Sequence, residues 1–289
     1  MARRAEQPTA RQVRLGSALR TLRLALPGKE SEWNAVLEKF GFTVSKLSRI
    51  ESGKIGISDA DFARMLDYYN PEKNHRVYLE DLRQRSNVEG WEADVRNIVS
   101  ADYADYCGYE GDAHEAFNLE TGLIPGLLQI REHSEANRAA TPWLSDAEFE
   151  DRLAIKAKRQ QVLTKDNPLR LSVIISESAF RHNIGGPAVM KAQLLYLIEL
   201  SEALPNLSIQ VLPEGSPAHG GLFGPYMILS FRETWEPDIV YIEGLTDTRW
   251  VERQDKVQDY SKQFKSLMEN AALPRNDSIA LILDHANNL

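Results

Sequence analysis

The chain has 289 residues, 43% of them hydrophobic and 26% charged, which excludes wholesale disorder and, at ~150 residues per domain, suggests two domains with cores of their own. The longest apolar runs, 194–200 and 279–283, fall far short of the ~18 residues of a membrane span, and the lone Cys107 excludes an internal disulfide and reads as a small core residue. A net charge of −8 argues against a nucleic-acid partner until the chain is divided: residues 1–70 hold 12 basic and 8 acidic side chains, residues 71–289 hold 22 and 34.

In chain order, residues 11–24 place Leu15, Leu19 and Leu22 at helical spacing, with Arg14, Arg20 and Arg23 between them. Leu26-Pro27-Gly28-Lys29 breaks this helix. Ser31 is placed to cap a short helix through about Lys39 that buries Val36 and Phe40, and Gly41 stops it. Thr43 caps a third helix, with Val44, Leu47 and Ile50 spaced for burial or part-burial. Ser58-Asp59-Ala60-Asp61 resembles a capping box and opens a fourth, carrying Phe62, Met65, Leu66 and Tyr69. Asn70-Pro71-Glu72-Lys73-Asn74 reads as a linker.

Residues 77–118 read as mixed helix rich in Trp91, Tyr103, Tyr106 and Tyr109, and 145–164 as helix. The period then changes: 169–175, 207–212, 226–231 and 238–242 read as strands, 189–204 and 257–272 as helices. The expected fold class is α+β: an all-α helix-turn-helix bundle of four to five helices at residues 8–70, a linker at 71–76, and a larger mixed domain at 77–289 with a mostly antiparallel or mixed sheet.

Residues 33–53 have what a helix-turn-helix needs: two short helices, a sharp turn at Gly41, and a second helix slim enough for a major groove about 12 Å wide. The candidate DNA contacts are Thr43, Val44, Ser45, Lys46, Ser48, Arg49, Trp33 and Lys54, with Lys46 and Arg49 suited to phosphates or guanines. Glu51 would repel phosphate and is expected to turn back toward a basic side chain such as Arg14 or Arg20. The bland alternative is a helical hairpin that merely docks.

The run Gly41-Phe42-Thr43-Val44-Ser45-Lys46-Leu47-Ser48-Arg49-Ile50-Glu51-Ser52-Gly53, with 15–23 before it, resembles the Xre/Cro-type helix-turn-helix regulators. Residues 123–129, 176–181, 185–190, 210–213 and 219–226 are similar to the C-terminal domain of unknown function attached to such regulators in actinobacteria. The resemblance implies a DNA-binding module, usually dimeric, whose third helix reads double-stranded DNA, and a small acidic partner protein encoded nearby. A cytoplasmic, nucleoid-associated protein with no membrane association is expected, since the opening Met-Ala-Arg-Arg-Ala-Glu runs straight into polar residues and holds no apolar leader. Where the family usually carries Gln, this chain has Trp33 and Val44, and Val offers a thymine methyl contact instead of a bidentate bond to adenine.

In the C-terminal part, Leu123, Pro125, Leu128, Glu177, Arg181 and His219 are the candidate effector or partner pocket. An enzyme reading can be built on His219 with Glu177, Glu243 and Asp238, but no HExxH, Gly-x-Ser-x-Gly or P-loop supports it. The expectation is a transcriptional regulator that is not an enzyme and takes no cofactor or metal. A scaffold with a degenerate helix-turn-helix that assembles with a small partner is the alternative, and an enzyme with its site near His219 the second.

Overall fold

The computed structural model describes residues 8–28, 33–87, 98–233, 235–245 and 247–289. The expected Ser31 cap and Trp91 lie outside them. The chain divides into two compact units, 1–109 and 110–289.

The first unit is helical. Helix α1 (Ala10–Leu24) opens on a reciprocal capping box, Thr9 Oγ1 accepting the Gln12 N–H and Gln12 Oε1 accepting the Thr9 N–H. Helices α2 (Trp33–Phe40), α3 (Val44–Glu51) and α4 (Asp59–Tyr69) follow, and Asn70 closes α4 in the left-handed region. Helix α5 (Lys73–Asn87) starts inside the stretch that reads as a linker, and its Leu79 and Leu82 join Leu15, Leu19, Leu47, Phe62 and Met65 in one core. The bundle therefore runs past residue 70. A polar, Pro-bearing segment looks like a linker, but Pro71 only forces a tight corner from which α5 folds back on α1.

Two glycines set the angle of α3. A Cβ on Gly16 would sit 2.8 Å from the Glu51 carbonyl oxygen, and one on Gly53 2.7 Å from the backbone of Gln12. Gly53 also takes φ +71°, which other residues adopt at a cost. Helix α1 thus crosses the end of α3 with backbone against backbone, which explains a glycine in mid-helix.

Helix α6 (Ala101–Asp112) leads into the second unit, where the sheet has the order β3-β2-β1-β4-β5-β6. Strands β1 (Glu115–Glu120), β2 (Arg170–Ser176) and β3 (Leu207–Leu212) are parallel; β4 (Tyr226–Ser230), β5 (Ile239–Glu243) and β6 (Thr248–Val251) continue antiparallel. The fold is α+β with a mixed sheet. Leu119 faces Ile174 on one side and Tyr226 on the other, so β1 is where the two halves meet. Sequence reading put 115–118 in a helical region; six residues of weak alternation become a strand because pairing on both sides decides it.

Helices α7 (Arg131–Ala136) and α8 (Asp146–Gln160) join β1 to β2, and α9 (Ser178–Arg181) and α10 (Pro187–Ala203) join β2 to β3. Helix α11 (Gln254–Asn270) packs Val257, Phe264 and Leu267 on Leu119, Ile174, Ile228 and Val240. Helix α12 (Arg275–Asn287) seals the β3 edge: Ser278 Oγ accepts the Val211 N–H at 2.9 Å, and the Val211 carbonyl accepts the Leu273 N–H at 2.8 Å. Among the described residues no helix is long and apolar enough to cross a membrane.

Candidate nucleic-acid interface

Helix α3 exists because Thr43 caps it, its Oγ1 accepting the Lys46 N–H at 3.1 Å, and because Gly41 at φ +67° lets the chain reverse after α2. Phe42 is buried in the corner, 5.6 Å from the Phe40 ring. Leu47, Ile50 and Glu51 face inward. The opposite face presents Thr43, Val44, Ser45, Ser48 and Arg49 to solvent, and Lys54 is exposed just beyond. Val44 is 60% exposed, an apolar side chain at the N-terminal end of α3.

Two of the expected contacts are otherwise engaged. Lys46 Nζ lies 2.9 Å from Asp61 Oδ2 and 3.8 Å from the Phe42 ring centroid. That bond holds the Asp61 carboxyl below its ordinary range. Asp61 is the residue that sequence reasoning missed: within Ser58-Asp59-Ala60-Asp61 its N–H is capped by Ser58 Oγ, while its carboxylate reaches Lys46. Trp33 carries the Arg23 guanidinium 4.6 Å from its ring centroid.

Glu51 does turn back, but its partner is Arg23, not Arg14 or Arg20. Arg23 Nε and Nη2 meet the two carboxylate oxygens at 2.6 and 2.8 Å, with side chains 3% and 4% exposed. Arg23 follows Gly16 by seven residues and shares the stripe of α1 that crosses α3. Arg20 is exposed, and the Arg14 guanidinium lies 5.9 Å from the Tyr109 ring centroid.

The six expected pocket residues lie on three segments that follow the C-terminal ends of β1, β2 and β3. Leu123, Pro125 and Leu128 belong to a turn before α7, where Leu128 is fully buried and its carbonyl accepts Gln193 Nε2 at 2.8 Å, while Leu123 is half exposed. Glu177 accepts the Glu214 N–H at 2.8 Å, meets His285 Nε2 at 2.9 Å and lies 3.5 Å from Arg181, which also pairs with Glu214 at 3.0 Å. Burial works to raise the Glu177 carboxyl, but these donors outweigh it and hold it low. His219 precedes the Gly220–Phe223 turn, its Nδ1 buried and without a partner among the described residues. Asp238 and Glu243 are both raised, chiefly by burial.

A further polar group lies along α8. Arg159 makes a bidentate pair with Glu110, both bonds 2.8 Å. One turn earlier, Lys156 Nζ donates to Gln129 Oε1 at 2.6 Å and Ser134 Oγ at 3.1 Å, and burial lowers its pKa to about 8. Glu120, at the end of β1, is pushed up to about 7 by burial and, less, by the charge of Glu243. A carboxyl raised above its ordinary 4.5 binds its proton more tightly when folded, so its contribution is fully present below pH 4.5 and is lost as pH rises through about 7. Glu120→Gln, neutral at every pH, is therefore expected to gain stability over the unsubstituted protein between about pH 5 and about pH 8, on the order of 1 kcal/mol at this half-buried site. Urea melts of both proteins across that range check it, and parallel curves would show that the carboxyl is solvated.

The comparisons with known proteins bear on the second unit. The model of a family described as a domain of unknown function (DUF5753) matches residues 103–284. No curated protein and no solved structure matches the chain.

Proposed function

We propose that this chain, which belongs to the DUF5753 family, is a sequence-specific DNA-binding transcriptional regulator of the Xre type, in which α3 enters the major groove and the second unit senses an effector or partner and dimerises. One observation carries this reading: a capped eight-residue helix anchored by Leu47, Ile50 and Glu51 offers Val44, Ser45, Ser48 and Arg49 together on its outer face. Arg49 suits a guanine or a phosphate, Val44 a thymine methyl group, and the two serines either base edges or phosphates. The acidic second half works with this arrangement, since like charge near DNA lowers non-specific affinity and leaves binding to a correctly seated α3. No catalytic step forms part of the proposal.

Electrophoretic shift against the protein's own upstream DNA tests it. Binding is expected to weaken steeply with salt. Arg49→Ala is expected to cost about 1–3 kcal/mol. Lys46→Ala is expected to cost less, because Asp61 already holds that ammonium. Unchanged binding in the double variant removes α3 as the reading helix. The engaged Lys46 also favours a second reading, a scaffold that assembles with a small partner protein. It predicts no DNA binding by the full chain even at low salt, together with a co-purifying small protein.

A further inference from the structure

On the face of the sheet that α11 covers lies a cavity of about 240 Å3. That is about eight water volumes at ~30 Å3 each. It has room for a molecule of one or two rings and falls below the ~300–1,000 Å3 of sites for larger ligands. Tyr226 and Tyr260 form one side, their rings edge to face with centroids 4.9 Å apart, and Ile242 of β5 adds an aliphatic surface. Phe223, 97% exposed, stands at the rim.

The polar element is Gln263, on α11 beside Tyr260. The Tyr226 hydroxyl donates to Gln263 Oε1, and burial raises the Tyr226 pKa, so the phenol keeps its proton. With its oxygen taken, the amide is left with Nε2, which is buried and finds no acceptor among the described residues. A buried donor without a partner is costly, and an arriving acceptor recovers that cost. Nε2 rests against Gly220, where a Cβ would collide with the amide, so the absence of a side chain there is what leaves it room. Gly220, Gly224 and Gln263 all line the cavity. Asp259 contributes a carboxylate to the lining, 3.1 Å from Lys256 Nζ.

We propose that this cavity binds a small planar aromatic molecule bearing a hydrogen-bond acceptor, which takes the Gln263 Nε2–H while its ring packs against Tyr226, Tyr260 and Ile242. The inference deepens the effector-sensing half of the proposed function, and its test is read without DNA, so its failure leaves the α3 assignment standing. Full-length protein is titrated with 4-quinolone and benzamide, which carry ring and acceptor, and with fluorobenzene, which lacks a strong acceptor, by saturation-transfer NMR. Saturable binding of 4-quinolone or benzamide is expected. Ile242→Trp, which fills the cavity, is expected to weaken it by about tenfold or more, equivalent to ~1.4 kcal/mol. Gln263→Leu is expected to weaken both probes several-fold and to leave fluorobenzene unchanged. Should Ile242→Trp not fold, Tyr260→Ala removes one wall in its place, with the same tenfold loss expected. The proposal is overturned if neither acceptor probe saturates, if the cavity-wall variant binds as well as the unsubstituted protein, or if Gln263→Leu leaves all three probes unaffected.

Discussion

Glu51→Ala is expected to destabilise the helical unit by about 3–5 kcal/mol, the usual cost of leaving one buried charge without its partner. Arg23 is 3% exposed and gives Nε and Nη2 to Glu51, so deleting the carboxylate takes its anionic partner from a cation that water does not reach. On the proposed function the same variant is also expected to abolish DNA binding although Glu51 faces inward, because α3 loses its anchor to α1. Hydrogen exchange followed by mass spectrometry checks the location of the loss: amides of residues 10–87 exchange faster while the sheet stays protected. Arg23→Met with Glu51→Leu is expected to recover most of the stability, since apolar residues of similar volume often replace a buried pair without loss. A single-variant cost below about 1 kcal/mol would mean that the pair behaves as an exposed one.

The second large effect belongs to the sheet-bearing unit. Glu110 is fully buried and Arg159 nearly so, at 0% and 8% side-chain exposure, and they too are joined by two bonds. Arg159→Ala is expected to cost about 3–5 kcal/mol, with faster exchange confined to residues 110–289. Arg159→Lys tests geometry separately from charge. An ammonium cannot reproduce the paired donors of a guanidinium, so most of the loss is expected to remain. Recovery by lysine would reduce the pair to a point-charge contact.

Much of the helical unit is legible in its residues. The apolar spacing of Leu15, Leu19, Leu47 and Ile50, the Thr43 cap and the Gly41 turn place α1 to α3 where they lie, and the inward turn of Glu51 is expected of the one acidic residue on a basic face. What helical periodicity does not carry is the partner across the helix crossing. Arg14, Arg20 and Arg23 look alike on α1, and the close approach at Gly16 selects Arg23. Strand β1 was hidden for the same kind of reason: Glu-Ala-Phe-Asn-Leu-Glu owes its conformation to β2 and β4, far off in the chain.

The pocket residues show a different limit. Leu123, Glu177 and His219 each stand out locally, but the contacts that surround them, such as His285 and Glu214 on Glu177, come from segments far off in the chain. Gln263 carried no local signal, being one polar residue on a charged amphipathic helix, and it is notable only because Tyr226 occupies its oxygen. The spacing of Lys156 and Arg159 on α8 was visible as helix, but the partners that give them chemical meaning lie 27 and 49 residues away.

The glycine crossing of α1 and α3 bears on how such a protein diversifies. Because Gly16 and Gly53 set the approach through the absence of side chains, the orientation of α3 is independent of what Val44, Ser45, Ser48 and Arg49 happen to be. Those four positions can be exchanged freely without retuning the scaffold, while substitution at either glycine shifts the whole helix at once. The outward face and the architecture are thereby uncoupled, so, on the proposed function, duplicated copies of the gene would drift toward new targets by single steps, each leaving a folded protein.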